Sequence, residues 1–197
     1  MVVAFSHRLP VSARNPARVA ANAARMRLFI ALWPDADARI ALSKVALRAV
    51  SELSAGGRSV APPNLHMTLA FLGATAADAV PQLLRIMRAA RPVTSELHLD
   101  HLGYFAAGKV LWLGSEHPVP ALLHAQRRLA GGLRQAGFPT ENRTFKPHVT
   151  LARDCQRPDL AGHMPLAVRW HAKQFALVES LSVPGGVRYR VIETITA

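Results

Sequence analysis

Two histidines in this chain sit in the same short pattern, and imidazole is the side chain best suited to moving protons near neutral pH. His66 lies in "NLHMTLAFLG" (residues 64–73) and His148 in "FKPHVTLAR" (residues 145–153). Each is followed by one apolar residue, a threonine and a leucine. The chain therefore carries His-x-Thr-Leu twice, with the histidines 82 residues apart. Both copies read as β-strands, in which side chains alternate faces. That places His66, Thr68 and Ala70 on one face, and Leu65, Met67, Leu69 and Phe71 on the other. In the second copy His148, Thr150 and Ala152 share a face, opposite Val149 and Leu151. The apolar faces must be core. The histidines then point away from it, and the small alanines beside them leave room for something to approach.

Two such strands can present two imidazoles and two hydroxyls across one cleft. One neutral histidine takes a proton from a nucleophile; a second, protonated, gives one to a leaving group. Threonine hydroxyls donate hydrogen bonds to nonbridging phosphate oxygens. An internal ester such as a cyclic phosphodiester needs only that set, and no metal is demanded. The rival use of paired histidines is zinc binding. The sequence offers no third ligand: there is no His-Glu-x-x-His, no cysteine cluster and no carboxylate beside either motif. A lone His-x-Thr is usually structural; the matched pair is what argues for a site. The other seven histidines (His7, His98, His101, His117, His124, His163 and His171) follow no shared pattern.

The elements that must hold these strands can be read along the chain. "RLFIALW" (residues 27–33) is a short apolar run ending at Pro34, a buried strand. Asp35 and Asp37 mark the start of a helix carrying Leu42, Val45, Ala49 and Leu53 at helical spacing. "SAGG" (54–57) stops it, and the first motif strand follows. Helices fit residues 76–90 and 118–136. Between them, Glu96–Phe105 and Lys109–Ser115 read as a hairpin turning at 106–108. After the second motif, residues 155–166 show no period, and 175–183 with 187–195 form a closing hairpin. Helices separating partly hairpin-linked strands give a mixed α+β fold with sheets backed by helices.

The 197 residues suit one domain. No apolar run approaches the roughly 18 residues that cross a bilayer. Net charge is +12, from 24 Lys and Arg against 12 Asp and Glu, a balance that suits a polyanion such as RNA. Residues 1–25 hold four arginines (Arg8, Arg14, Arg18, Arg25) and no acid. They read as a disordered extension or a start placed too early, with an organelle transit peptide as the alternative. The body, residues 26–197, keeps 20 basic against 12 acidic residues. The one cysteine, Cys155, excludes an internal disulfide, fits a reducing, cytoplasmic compartment and reads as a small buried hydrophobe. A monomer is expected.

With both motifs in their settings ("MRLFIALWPD", "NLHMTLAFLG", "KVLWLGS", "FKPHVTLAR"), the sequence from Met26 nearly to the C-terminus resembles the 2H phosphoesterases. Within them it is most similar to the RNA 2′,3′-cyclic phosphodiesterases, also called 2′-5′ RNA ligases. The resemblance implies a bilobal fold, two similar lobes of antiparallel sheet backed by helices around a central cleft, one motif from each. It implies metal-independent, cofactor-free hydrolysis of a 2′,3′-cyclic phosphate RNA end to a 2′-phosphomonoester. His66 would be the general acid and His148 the general base. Thr68 and Thr150 would hold the phosphate. Arg153 would add a cation, although strict alternation puts it on the face opposite His148 unless the strand ends at Ala152. Tyr104, Phe105 and Phe145 are candidates to stack on a base, with core packing as the alternative; Trp112 reads as core. Lys109, Arg143 and Lys146 could guide an RNA backbone. Small cyclic nucleotides are alternative substrates, and 2′-5′ RNA ligation at the same site or a non-catalytic RNA-binding module are alternative functions.

Overall fold

The run Leu28–Leu32 is buried on both sides, which explains why the first strand is apolar without alternation. The computed structural model describes residues 25–53, 56–92, 94–160 and 166–197. The expected extension therefore lies outside the described residues, apart from Arg25. In chain order the elements are β1 (Arg25–Leu32), α1 (Ala36–Glu52), β2 (Arg58–Ser59), β3 (Met67–Ala76), α2 (Val80–Ala89), β4 (Ser95–Leu99), β5 (His101–Phe105), β6 (Val110–Gly114), α3 (Pro120–Gln135), β7 (His148–Arg153), β8 (Val168–Ala172), β9 (Gln174–Val183) and β10 (Gly186–Thr196). Asp35 caps α1, its carboxylate accepting from the Ala38 N–H at 2.9 Å.

Seven strands run in the order β10-β9-β1-β3-β7-β6-β5, with β2 pairing on β7; β4 and β8 form a separate ribbon. Every pairing is antiparallel. The two halves, β10-β9-β1-β3 and β7-β6-β5, meet at one residue pair, Met67 opposite Val149. Beyond it β3 stays with β1, while β2 takes the place beside β7. The sheet thus splits into two lobes. Helices tie the lobes together: α1, which follows β1, packs on β7 and β8, and α2 packs on α3. Gln126 of α3 donates to the Leu69 carbonyl of β3 at 3.2 Å.

Several expectations are corrected. The α2 helix begins at Val80, because β3 runs on to Ala76 and a 3₁₀ turn fills 77–79. The segment 96–105 is two strands. At Asp100 the backbone N–H binds the Gly114 carbonyl while the side chain accepts from Glu116, so the chain turns from β8 to β6. β8 was not anticipated, although "VRWHA" alternates strictly between buried and exposed. Of the residues expected on the core faces of the two motifs, Leu65, Met67, Leu69, Val149 and Leu151 are 3% exposed or less.

Candidate active site

The Met67–Val149 pair sits at the centre of both motifs. Each of these residues is the x of His-x-Thr, and both are fully buried. In an antiparallel register their neighbours face one another, His66 toward Thr150 and Thr68 toward His148. One backbone pair therefore brings both imidazoles and both hydroxyls to one cleft.

The rings are held alike. His66 donates Nδ1–H to the Asn64 carbonyl at 2.6 Å, and His148 donates Nδ1–H to the Lys146 carbonyl at 2.7 Å. A carbonyl only accepts, so each Nδ1 carries the hydrogen and each Nε2 is left for chemistry. The Thr68 hydroxyl donates to Nε2 of His66 at 3.0 Å. Burial pushes the His66 pKa down to about 4, helped by the charges of Arg153, His148 and Arg39. Burial also lowers His148, helped by Arg143, Lys146 and Arg153. Desolvation disfavours the charged imidazole in both cases.

Straight alternation fails just after each threonine, and in the same way. On β3, Ile30 of β1 faces Ala70 and Ala31 faces Thr68, so Leu69 is an extra residue. On β7, Trp112 of β6 faces Thr150 and Leu111 faces Ala152, so Leu151 is extra. These are β-bulges, which re-aim the side chains that follow. Ala152 is fully buried and Ala70 packs against the core, so neither alanine shares the histidine face. The outward position passes to Phe71 in the first copy and Arg153 in the second. Phe71 is 51% exposed rather than core. Arg153 is exposed within a strand that does not end at Ala152, and its charge reaches both histidines. The bulge removes the objection that alternation raised. At the same place Gly57 must be glycine: a Cβ there would lie 2.5 Å from the Arg153 carbonyl oxygen, and its φ is +83°.

The remaining candidates divide. Phe105 packs edge-on to His148, centroids 5.0 Å apart, and is the aromatic of the three that borders the site. Tyr104 is tied to the core, its hydroxyl donating to the Cys155 carbonyl at 2.8 Å, and Phe145 packs on the core. Trp112 is core, as expected, at 2% exposed, yet its ring also flanks His148 at 5.9 Å. The Lys146 ammonium stands 4.3 Å above the Trp112 ring. Arg143 is paired with Glu141, and Lys109 takes a left-handed turn whose carbonyl accepts from Cys155 N–H. Cys155 is buried and its thiol pKa is raised by that burial. His98 and His171 both bind the Glu96 carboxylate on the β4-β8 ribbon. His101 lies 5.6 Å from Trp112. Among the described residues no group of three His, Cys, Asp or Glu is arranged to hold a metal ion.

Sequence reasoning missed the cage around His66. Phe29, Trp33 and Tyr189 surround it at 4.9, 5.7 and 5.1 Å, and Trp33 lies nearly parallel to the imidazole. With Ala31, Ala176, Val178 and Val191 these aromatics form a second apolar cluster on the cleft side of the first lobe. Arg39 covers Trp33 and donates to the Pro34, Pro62 and Pro63 carbonyls, fixing the turn before His66. The unbroken apolar run of β1 was the available signal: a strand buried on both faces has something packed on each.

The sequence profile of the 2′-5′ RNA ligase superfamily matches residues 34–182. The chain belongs to this superfamily. An Escherichia coli RNA 2′,3′-cyclic phosphodiesterase is 33% identical over 165 residues, spanning 83% of this chain and 92% of the relative. A Thermus thermophilus protein of the same name is 30% identical, spanning 85% and 88%. Among solved structures, Escherichia coli LigT complexed with 3′-AMP superposes with a TM-score of 0.75 at 29% identity, covering 88% of this chain and 98% of that one. The superfamily assignment and this superposition bear out the α+β bilobal phosphoesterase fold.

Proposed function

We propose that this cleft opens the 2′,3′-cyclic phosphate at an RNA end to a 2′-phosphomonoester. The observation that carries the reading is the pairing of the two motif centres, with both Nδ1 atoms held by carbonyls so that each Nε2 is the basic nitrogen. The names of the curated relatives support cyclic phosphate hydrolysis as the reaction.

His148 acts as the base. Its Nε2 takes a proton from water, the oxygen attacks phosphorus, and the bond from phosphorus to O3′ breaks. His66, protonated at Nε2, gives its hydrogen to O3′. The product carries a 2′-phosphate and a free 3′ hydroxyl, and the two histidines have exchanged protonation states. In the free site His66 is neutral at pH 7, since its pKa lies near 4. The anionic phosphate supplies the opposite charge that raises it. Thr68 and Thr150 donate to nonbridging oxygens, and Arg153 faces the charge that develops there. Phe71, half exposed on the wall of the first lobe, gives the base an apolar surface.

None of these steps requires a metal or cofactor. The reading includes a monomer working in the reducing cytoplasm, consistent with a single buried cysteine. No helix of the described residues is long and apolar enough to cross a membrane. We place the catalytic body in residues 26–197 and give residues 1–25 no part in the chemistry. The test is incubation with a 2′,3′-cyclic-ended oligonucleotide, with and without EDTA. A 2′-phosphate formed at equal rates in both is expected. A 3′-phosphate product would reverse the leaving oxygen, and loss of rate in EDTA would remove the metal-free mechanism.

A further inference from the structure

The residue two places before each histidine does the same job with its backbone and a different one with its side chain. In both motifs its carbonyl accepts the Nδ1 hydrogen. In the second motif that residue is Lys146, whose side chain stays local, over Trp112. In the first it is Asn64, whose side chain leaves the motif. Its Nδ2 donates to the Val187 carbonyl at 2.9 Å, and its Oδ1 accepts from the Tyr189 N–H at 3.3 Å. Both partners lie on β10, which among the described residues is an edge strand paired only with β9.

A carboxamide has the donor and acceptor of a peptide group. Asn64 therefore docks on the open edge of β10 as one unit of a missing neighbouring strand would. Tyr189, the residue it grips, lies edge-on to His66 at 5.1 Å and to Phe29 at 4.9 Å. We propose that Asn64 is a positioning residue that couples β10 to His66: its carbonyl fixes the imidazole from behind while its amide holds Tyr189 against the ring. This rests on the role given to His66 above. Aspartate keeps the shape but loses the donor to Val187 and sets a charge against that carbonyl. Alanine loses both bonds.

The charged and titratable groups that face His66 are Arg39 on α1, His148 and Arg153 on β7, and Tyr189 itself on β10. Asn64→Ala alters none of them, so a change in His66 titration in that variant reports the packing of β10, whereas Asn64→Asp also adds a carboxylate that itself raises the imidazole pKa. The experiment uses the full chain and three readouts: amide exchange at Tyr189, NMR titration of both motif histidines, and steady-state rates on the cyclic-ended oligonucleotide. In the unsubstituted protein the Tyr189 amide is protected, which a bonded edge amide is and a free one is not. In Asn64→Ala that protection is lost, while in Asn64→Asp the carboxylate still accepts from the Tyr189 N–H and only the bond to Val187 goes. The His66 pKa rises by about one unit or more as water reaches the ring, while His148 stays in place. The kcat falls about 10²-fold with KM within about threefold, as expected for misplacement of a reacting group.

A Tyr189 amide that exchanges freely in the unsubstituted protein overturns the proposal, whether or not the variants fold. So do folded variants with unchanged kcat and His66 titration. If His66→Ala keeps full turnover while the Asn64 variants still raise the His66 pKa, the role of His66 fails and the clamp stands.

Discussion

Arg153 reaches the cleft because Leu151 and Ala152 both lie on the buried side of β7. A cation there lowers the pKa of both histidines and, in the proposed reaction, faces the phosphate. Arg153→Ala should lower kcat/KM by about 10–10³-fold, the scale of losing one preorganised charge contact. Arg153→Lys should recover part of it, because an ammonium keeps the charge and loses the planar fork. Since the arginine depresses both imidazoles, Arg153→Ala should also raise both of their pKa values by NMR. Unmoved titrations would place the guanidinium outside the cleft.

The low His66 pKa has two further consequences. For stability, the unfolded chain takes up a proton near pH 6.5 and the folded one only near 4. The contribution is therefore present above the unfolded value and is lost as pH falls through the folded one. His66 alone should weaken folding by about 3 kcal/mol between those limits. Denaturant titrations at pH 7 and pH 4 should show a smaller loss in His66→Gln. For catalysis, phosphate bound as proposed should raise the pKa of His66. The alkaline limb of kcat should lie at higher pH than that of kcat/KM. At this scale the histidines, the threonines and Arg153 of the proposed site were legible as candidates, because each is a polar residue out of place in an apolar strand. Trp33, Tyr189 and Asn64 were not, since their apolar or turn-forming character has ordinary uses everywhere.

At the scale of elements, the three helices and most strands were legible from period and caps; β8 and the break between β4 and β5 were not. Nor were the bulges. A bulge is a mismatch between two strands, so it exists only in the register with β1 or β6 and leaves no mark in "HMTLAF" or "HVTLAR" alone. That is why alternation put Ala70, Ala152 and Phe71 on the wrong faces and raised an objection to Arg153. The β5-β6 hairpin shows how tightly such registers are set. A Cβ at Gly103 would fall 1.9 Å from the Trp112 ring, which in turn flanks His148. Gly103→Ala should therefore displace the indole, destabilise the fold by about 1–3 kcal/mol as overpacking does, and lower kcat. Wild-type stability and rate in that variant would mean that Trp112 is not fixed by the hairpin.

For the whole molecule, two lobes joined at one residue pair give the cleft an approximate symmetry that its chemistry breaks. One wall carries an aromatic cage and Phe71; the other carries Arg153, Lys146 and Phe105. The excess of basic residues belongs to this scale. It should speed capture of RNA without touching the proton transfers. Raising salt should increase KM for an oligonucleotide more than for a cyclic mononucleotide, with kcat unchanged. Equal salt dependence for both would confine recognition to the terminal nucleotide.

The central claim is that His66 and His148 divide the two proton transfers. The measurement is turnover of His66→Ala and His148→Ala on a 2′,3′-cyclic-ended oligonucleotide, with folding checked in each. Each substitution should reduce kcat by about 10²–10⁴-fold, the worth of one proton-transfer group. A folded variant of either histidine that turns over at the unsubstituted rate would contradict the account.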